Sequence, residues 1–592
     1  MAKAKRNVGM VQLLEFKVAF PNEEPLSVEE YLNGGSKDLI LKVAAFFLGS
    51  KSQDSKYHDN REFLGAIFGP ENNALANSVN DKIIEIEKKG TRVRIINTYT
   101  SMRIFESFFT KEEEPETQTH AEFEINIFKA YLTLNSEFTY NQDAAISSTE
   151  ELDDELKIAM MMFCSDYPIA DKENYNIKQV WGSQMIKTIF LFQYLEGNVA
   201  TRPLLNAFLA SFNKTTWQDY LKSFVSLTTP IIKDEKEGHT DIQITNDEDF
   251  QQNCSFLEKL IVHDYDELDA NDFLTLRAKP LYKIENGVYR IIFDLFLVEK
   301  IFKGMYFSLR DTNETLPVGQ KITGWKSIYC YEFSEKTLAY KVIESIFPDK
   351  SIKFTGQQLT DMKVIGAPDY YVRNGNSIFV FESKDFLIRA DKKVSFDFSI
   401  YEKEFSKTLY YETLTNEREK AGAVMQLINT IRKLLKYELK GDTDYKYREV
   451  FIYPILLTHD RQYDVFGLNT LVNYWFQYEL QGLKDEGLFI HKVKPLTVMN
   501  IDSLIYHQGC LKENISLNKV IDNYYSEIKL DTKLRFETEA EIKSYLMSKQ
   551  IPFSFFIDNF FSEKGIRKLP VMLNTVAPAL FKDEQIVEET NT

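Results

Sequence analysis

The chain is poor in residues that cross-link or chelate. Four cysteines, Cys164, Cys254, Cys330 and Cys510, are scattered over 592 residues. Their spacing fits neither a disulfide framework nor a zinc site, which points to a reducing compartment. Seven histidines form no ligand pair at helical spacing, so zinc chemistry is not expected. Long apolar runs are missing too. No stretch approaches the roughly 20 apolar residues that a membrane-spanning helix needs, and the longest candidate, residues 185–195, has the length of a buried helix. The first residues, MAKAKRNVGMVQLL, lack the apolar core of a signal peptide. A cytoplasmic protein without a membrane partner is expected. Positive charge is in deficit, with 71 Lys and Arg against 88 Asp and Glu and a net charge of −17. That argues against a generic polyanion binder and leaves room for a local basic groove. Gly49-Ser50-Lys51-Ser52 lacks the upstream glycine and the residue order of a phosphate loop, so it reads as the end of a helix and no nucleotide cofactor is expected.

What is present is globular: 44% hydrophobic and 27% charged residues, with a length that suggests several domains. Residues 1–110 pattern as a mixed α/β region, with strands expected at 8–20 and 91–98. An acidic stretch at 110–119, TKEEEPETQT, reads as a linker or a solvated loop. Residues 120–310 are mainly helical, ending in α/β with a strand at 287–296. Residues 318–470 carry the most informative pattern, and 471–592 are mainly helical again. There is no internal repeat.

Within 318–470, residues 364–386 read VIGAPDYYVRNGNSIFVFESKDF. Two short strands flank Asn374-Gly375, a strong hairpin signal. A two-residue turn there would pair Tyr371 with Ile378 and Asp369 with Val380. Side chains alternate along a strand, so Asp369, Glu382 and Lys384 share a face. Asp369 and Glu382 become diagonal neighbours at roughly 7–8 Å. Two carboxylates that close repel unless a cation lies between them, and a hard divalent cation takes oxygen ligands.

Pro368-Asp369 followed by Glu382-Ser383-Lys384 resembles the PD-(D/E)xK nuclease superfamily. The flanking elements extend the resemblance. A helix is expected at 335–347 with Ser334 as its cap, then strands at 351–355, 364–372 and 377–386, a helix at 417–439 and a buried strand at 450–457. This is the α-β-β-β-α-β order of the restriction-endonuclease-like core, so the expected fold class is α/β multidomain, with that core flanked by a mixed α/β N-terminal region and helical regions. The resemblance implies that Asp369, Glu382 and the main-chain carbonyl of Ser383 bind Mg²⁺ or Mn²⁺, and that Lys384 orients or activates the attacking water. It also implies an acid from the first helix, for which Glu335 is the candidate, and a role for Gln426, although Thr430 stands where some branches place a tyrosine. Pro348-Asp349 with Asp361-Met362-Lys363 is a second formal match, but it does not follow a strand. Between the hairpin and the next helix, Arg389, Lys392, Lys393 and Lys407 interleave with Phe396, Phe398 and Tyr401. Cations with aromatics suit nucleic-acid contact, while the acids among them also fit a plain surface insertion. The expected function is a Mg²⁺-dependent DNA endonuclease in restriction or anti-phage defence, with a partner protein or oligomer as a candidate trigger. A catalytically inert nuclease fold used for binding, or an RNA-cleaving toxin, are the alternatives.

Overall fold

The computed structural model describes residues 11–49, 59–88, 91–233, 238–268, 271–413, 419–531, 533–566 and 570–581. The chain is mixed α/β with small sheets. It packs as two compact units built from segments far apart in sequence. One comprises Met1–Ala144, Lys172–Trp181 and Leu209–Gly304, the other Ala145–Asp171, Gly182–Phe208 and Met305–Thr592. The four consecutive regions expected from composition divide the sequence; the packing units are discontinuous.

The first unit is helical around a phenylalanine-rich core, with Phe47 against Phe63 and Tyr131. Ser27 and Asn97 begin helices with capping boxes, each satisfying backbone donors that the first turn leaves open. The expected strand at 8–20 shrinks to Val11–Leu13, followed by a helix at Phe16–Ala19; residues 8–10 lie outside the described residues. Val11–Leu13 pairs in parallel with Arg92–Arg94. The expected strand at 287–296 holds only over Val288–Ile291, the middle strand of a three-stranded antiparallel sheet. The acidic stretch 110–119 is tied back within its own unit. The Thr117 amide donates to the Gly34 carbonyl at 2.8 Å and the Gln118 side chain to the Tyr31 carbonyl at 2.8 Å, so the solvated-loop reading describes it. Gly49 ends the helix Lys37–Gly49; Ser50, Lys51 and Ser52 lie outside the described residues.

The second unit is organised on a five-stranded sheet. Helix α1 runs through Ile328–Ala339, wound as a π-helix, into the α-helical Tyr340–Ile346. Strand β1 (Ile352–Thr355) leads through α2 (Gly356–Asp361) to β2 (Tyr370–Asn374) and β3 (Ser377–Lys384). Helices α3 (Phe398–Leu409) and α4 (Ala423–Leu435) follow, then β4 (Phe451–Thr458), α5 (Leu468–Asp485), β5 (Thr497–Asn500) and α6 (Ile501–Glu513). The sheet order is β5-β4-β3-β2-β1. The β1–β2 and β2–β3 pairs are antiparallel; β3–β4 and β4–β5 are parallel.

The central strands follow from composition. SIFVFESK and FIYPILLT are near-continuous apolar runs, as strands covered on both faces must be, and all of β3 except Lys384 is buried. Helix α4 packs on β3 and β4 through Val424, Leu427, Ile428, Ile431 and Leu434, all fully buried. Pro454 explains an interruption. The Ile452 amide donates to Lys492 and the Lys494 amide to Ile452, at 3.0 and 2.8 Å. The next donor on that side of β4 would be residue 454, and proline has none. Regular pairing with β5 resumes at Ile455 opposite Thr497.

Expectations change in detail. The strand expected at 364–372 spans Tyr370–Asn374, and the helix expected at 417–439 spans Ala423–Leu435, behind a short strand at Glu419–Ala421. The hairpin turns at Gly375-Asn376, because Asn374 pairs with Ser377 and Tyr371 with Val380. Gly375 alone has positive φ, at 60°, as a type II′ loop requires of its first residue; the expected Asn-Gly turn of type I′ needs it at both. Ser334 is not a helix cap. It is buried in the π-wound segment, which starts well before it.

Candidate active site

The corrected register moves Asp369 relative to Glu382. Tyr370 pairs with Phe381, so continuing the ladder by one residue sets Asp369 directly opposite Glu382 rather than diagonal to it. Gly356 lets β1 and α2 approach this point. Its amide donates to the Asp369 carbonyl at 2.8 Å, and a Cβ there would stand 2.9 Å from the Pro368 oxygen.

Asp369 Oδ2 accepts the backbone N–H of Ser383 at 2.7 Å. Glu382 is 1% exposed. Lys384 Nζ lies 3.2 Å from Glu382 Oε2 and 4.0 Å from Asp369 Oδ2. Burial, and then the Asp369 carboxylate, push the Glu382 carboxyl well above the usual range, against the pull of Lys384. Burial alone would depress the Lys384 ammonium, but Glu382, Asp369 and Glu335 together hold it above the ordinary lysine value. Glu335, projecting from the π-wound part of α1, joins the group electrostatically. Its carboxyl is pushed up to about 8 by burial and by Asp369, with Lys384 and Lys336 opposing.

Burial first, and then the charge of Asp369, make Glu382 and Glu335 hold their protons more tightly. Asp369 and Glu382 offer hard oxygen donors on adjacent strands, the chemistry that Mg²⁺ and Mn²⁺ favour. Among the described residues, no three acid, histidine or cysteine side chains already converge as a ready-made metal cage. An ion there would be held by the two carboxylates together with main-chain and water oxygens.

Several neighbours went unread in the sequence. Ser383 Oγ lies 2.7 Å from His459 Nε2, and both residues are buried. Burial, then Lys187, depress His459 to about 3, so its ring is neutral. Ser334 donates to Asp385 Oδ2 at 2.6 Å. Tyr340 meets the Tyr370 ring edge-on at 5.3 Å; its hydroxyl is pushed up by burial, then by Glu335 and Asp369. The available signal was position: His459 immediately follows a buried strand, and Tyr340 lies in the same helix as Glu335.

The remaining expected residues fall elsewhere. Gln426 lies on α4, its Oε1 buried without a hydrogen-bond partner, as is the Thr430 hydroxyl one turn on. Arg389 is exposed and paired with Asp391 at 3.0 Å, Lys392 lies 3.9 Å from the same carboxylate, and Lys407 pairs with Glu404 at 2.7 Å. Lys393 is 2% exposed and bound to Asp171 at 2.8 Å, so it is closed to a polyanion. Phe396, Phe398 and Tyr401 are buried; Tyr401 packs on Phe163 and Tyr167. Phe398 and Tyr401 lie on the buried face of α3. Residues 414–418, the end of that insertion and the start of the expected helix at 417–439, lie outside the described residues. In the second formal match, the Asp349 side chain is 93% exposed and Asp361 ends a helix. No known protein family, characterised protein or solved structure matches the chain.

Proposed function

We propose that the chain is a divalent-metal-dependent nuclease with a restriction-endonuclease-like core, acting on DNA in restriction or anti-phage defence. The observation that carries this reading is the grouping of Asp369, Glu382 and Lys384, with Asp369 fixed by the Ser383 amide at 2.7 Å. The order α1-β1-α2-β2-β3-α3-α4-β4, an α-β-β-β-α-β series with α2 and α3 inserted, supports it.

Asp369 and Glu382, with the Ser383 carbonyl, would hold Mg²⁺ or Mn²⁺. When bound, such an ion polarises a phosphate oxygen and makes a water more acidic. The protein's own groups do the rest. The Ser383 N–H occupies one face of the Asp369 carboxylate and so orients the other oxygen. Lys384 keeps its proton, because three carboxyls stabilise it, and presents a cation where charge develops on phosphorus. Glu335 holds a proton below about pH 8 in the metal-free site, which lowers the charge until a cation enters.

A second reading has its own observation. Lys384 already pairs with both acids, which is how an inert nuclease fold kept for binding would satisfy them. The two readings separate on Mn²⁺ binding, followed by electron paramagnetic resonance, and on cleavage of plasmid DNA and structured RNA with Mn²⁺, Mg²⁺ or EDTA. Metal binding and metal-dependent cutting that disappear in Asp369→Ala, with cutting alone lost in Lys384→Ala, are expected. Absence of both from the full chain favours the inert fold, and cutting of RNA alone reassigns the substrate.

A further inference from the structure

We infer that His459 is a positioning residue of this site, acting on Asp369 through Ser383. The inference rests on the metal-dependent reading above. Thr458, the last residue of β4, pairs with Lys384. The chain leaving β4 at His459 therefore starts beside the end of β3, and its ring reaches back across the strand. His459 Nε2 stands 2.7 Å from Ser383 Oγ, and the pair is buried.

Ser383 is a two-sided connector. Its hydroxyl engages His459, while its backbone N–H donates to Asp369 Oδ2 at 2.7 Å. Side chains alternate along a strand, so the Ser383 hydroxyl projects away from the face that carries Glu382 and Lys384. The hydrogen-bonded path from His459 to Asp369 therefore runs through Ser383. A shift of the Ser383 backbone would move both its N–H, which orients Asp369, and its carbonyl, the proposed ligand. The ring is itself enclosed: Lys187, paired with Asp502 at 2.7 Å, and Asp502 are the charged groups whose fields reach it, with Asp369 beyond Ser383. Partners one step behind a metal ligand typically govern affinity by about 10- to 100-fold, and that is the effect expected here.

The test uses the full chain. Mn²⁺ affinity is measured by electron paramagnetic resonance and the melting temperature in metal-free buffer, for His459→Ala, Ser383→Ala, the double variant and His459→Gln. A glutamine amide nitrogen can stand near the Nε2 position and serve the Ser383 oxygen. The expected result is Mn²⁺ binding about 10- to 100-fold weaker in His459→Ala, no further loss in the double variant, and recovery in His459→Gln. Unchanged affinity in folded His459→Ala overturns the inference, as do additive losses in the double variant. Should His459→Ala not fold, Ser383→Ala, which removes a single oxygen, decides in its place: unchanged affinity overturns the inference. A wild-type chain that binds no Mn²⁺ brings down the metal-dependent reading together with this inference. A wild-type chain that binds and cuts, beside a variant with unaltered affinity, brings down this inference alone.

Discussion

Gly356 and Asp294 show how single positions set energetic limits in the two units. At Gly356 a methyl group would meet the Pro368 oxygen at 2.9 Å and the Asp369 oxygen at 3.1 Å, both backbone atoms that cannot swing aside. Gly356→Ala is expected to cost about 1–3 kcal/mol as overpacking and to weaken Mn²⁺ binding by displacing Asp369. Urea unfolding and metal titration check this, and an alanine variant matching wild type in both would refute the close approach. In the other unit, Asp294 begins the helix Asp294–Glu299, and burial pushes its carboxyl from 3.8 up to about 7. The folded-state value lies above the unfolded one, so the unfolded chain releases this proton first. The stability that Asp294 contributes is complete below about pH 4 and is lost as pH rises through 7. The loss is about 2–4 kcal/mol. Asp294→Asn should remove that slope, and denaturant melts at pH 5 and pH 8 measure it; parallel slopes in variant and wild type would exclude the assignment.

Among elements, α4 does more than cover the sheet. Lys433 Nζ donates to the carbonyls of Ile365 and Gly366, clamping the loop that leads into Asp369. Lys433→Met keeps the stem and removes the donors. It is expected to leave global stability within about 1 kcal/mol while amide hydrogens at 364–367 exchange faster; unchanged exchange there would show the clamp to be idle. Elements also show what was legible in the sequence and what was not. The shared face of Asp369, Glu382 and Lys384 was legible because strand alternation has period two, and it survives a two-residue slip in pairing. The slip itself was not, because NGN allows two hairpin loops and the backbone φ at Asn374 separates them. The start of α1 was misread because Ser334 before Glu335 mimics a cap, and π-winding leaves no clear periodicity. The aromatics of α3 read equally well as stacking platforms or as core, since burial depends on Phe163 and Tyr167, far away in sequence. β5 was missed because its four residues, TVMN, carry too short a pattern.

At the scale of the whole molecule, every acid and lysine of the candidate site belongs to one unit, and Asp294 to the other. A ligand that binds only the folded state stabilises what it binds, by about 2.7 kcal/mol at a hundredfold excess over Kd. Calorimetry of the full chain is expected to show Mn²⁺ raising the transition of the unit that carries Asp369, with the transition sensitive to Asp294→Asn unmoved. Equal shifts in both would contradict the assignment of the ion to Asp369 and Glu382.

The discontinuous course of the chain has a further consequence, in time. The unit with the site takes in residues 145–171 and 182–208 and then waits for 305–592; the helix Asp154–Asp166 packs against α5, more than 300 residues later. A ribosome adds roughly 5–20 residues per second. Asp369 and Glu382 therefore emerge several seconds or more before β5 and α6, which complete the sheet and its cover. A nascent chain carries the acids without the support that aims them, so the cell making this protein meets the assembled site only after β5 and α6 have been made.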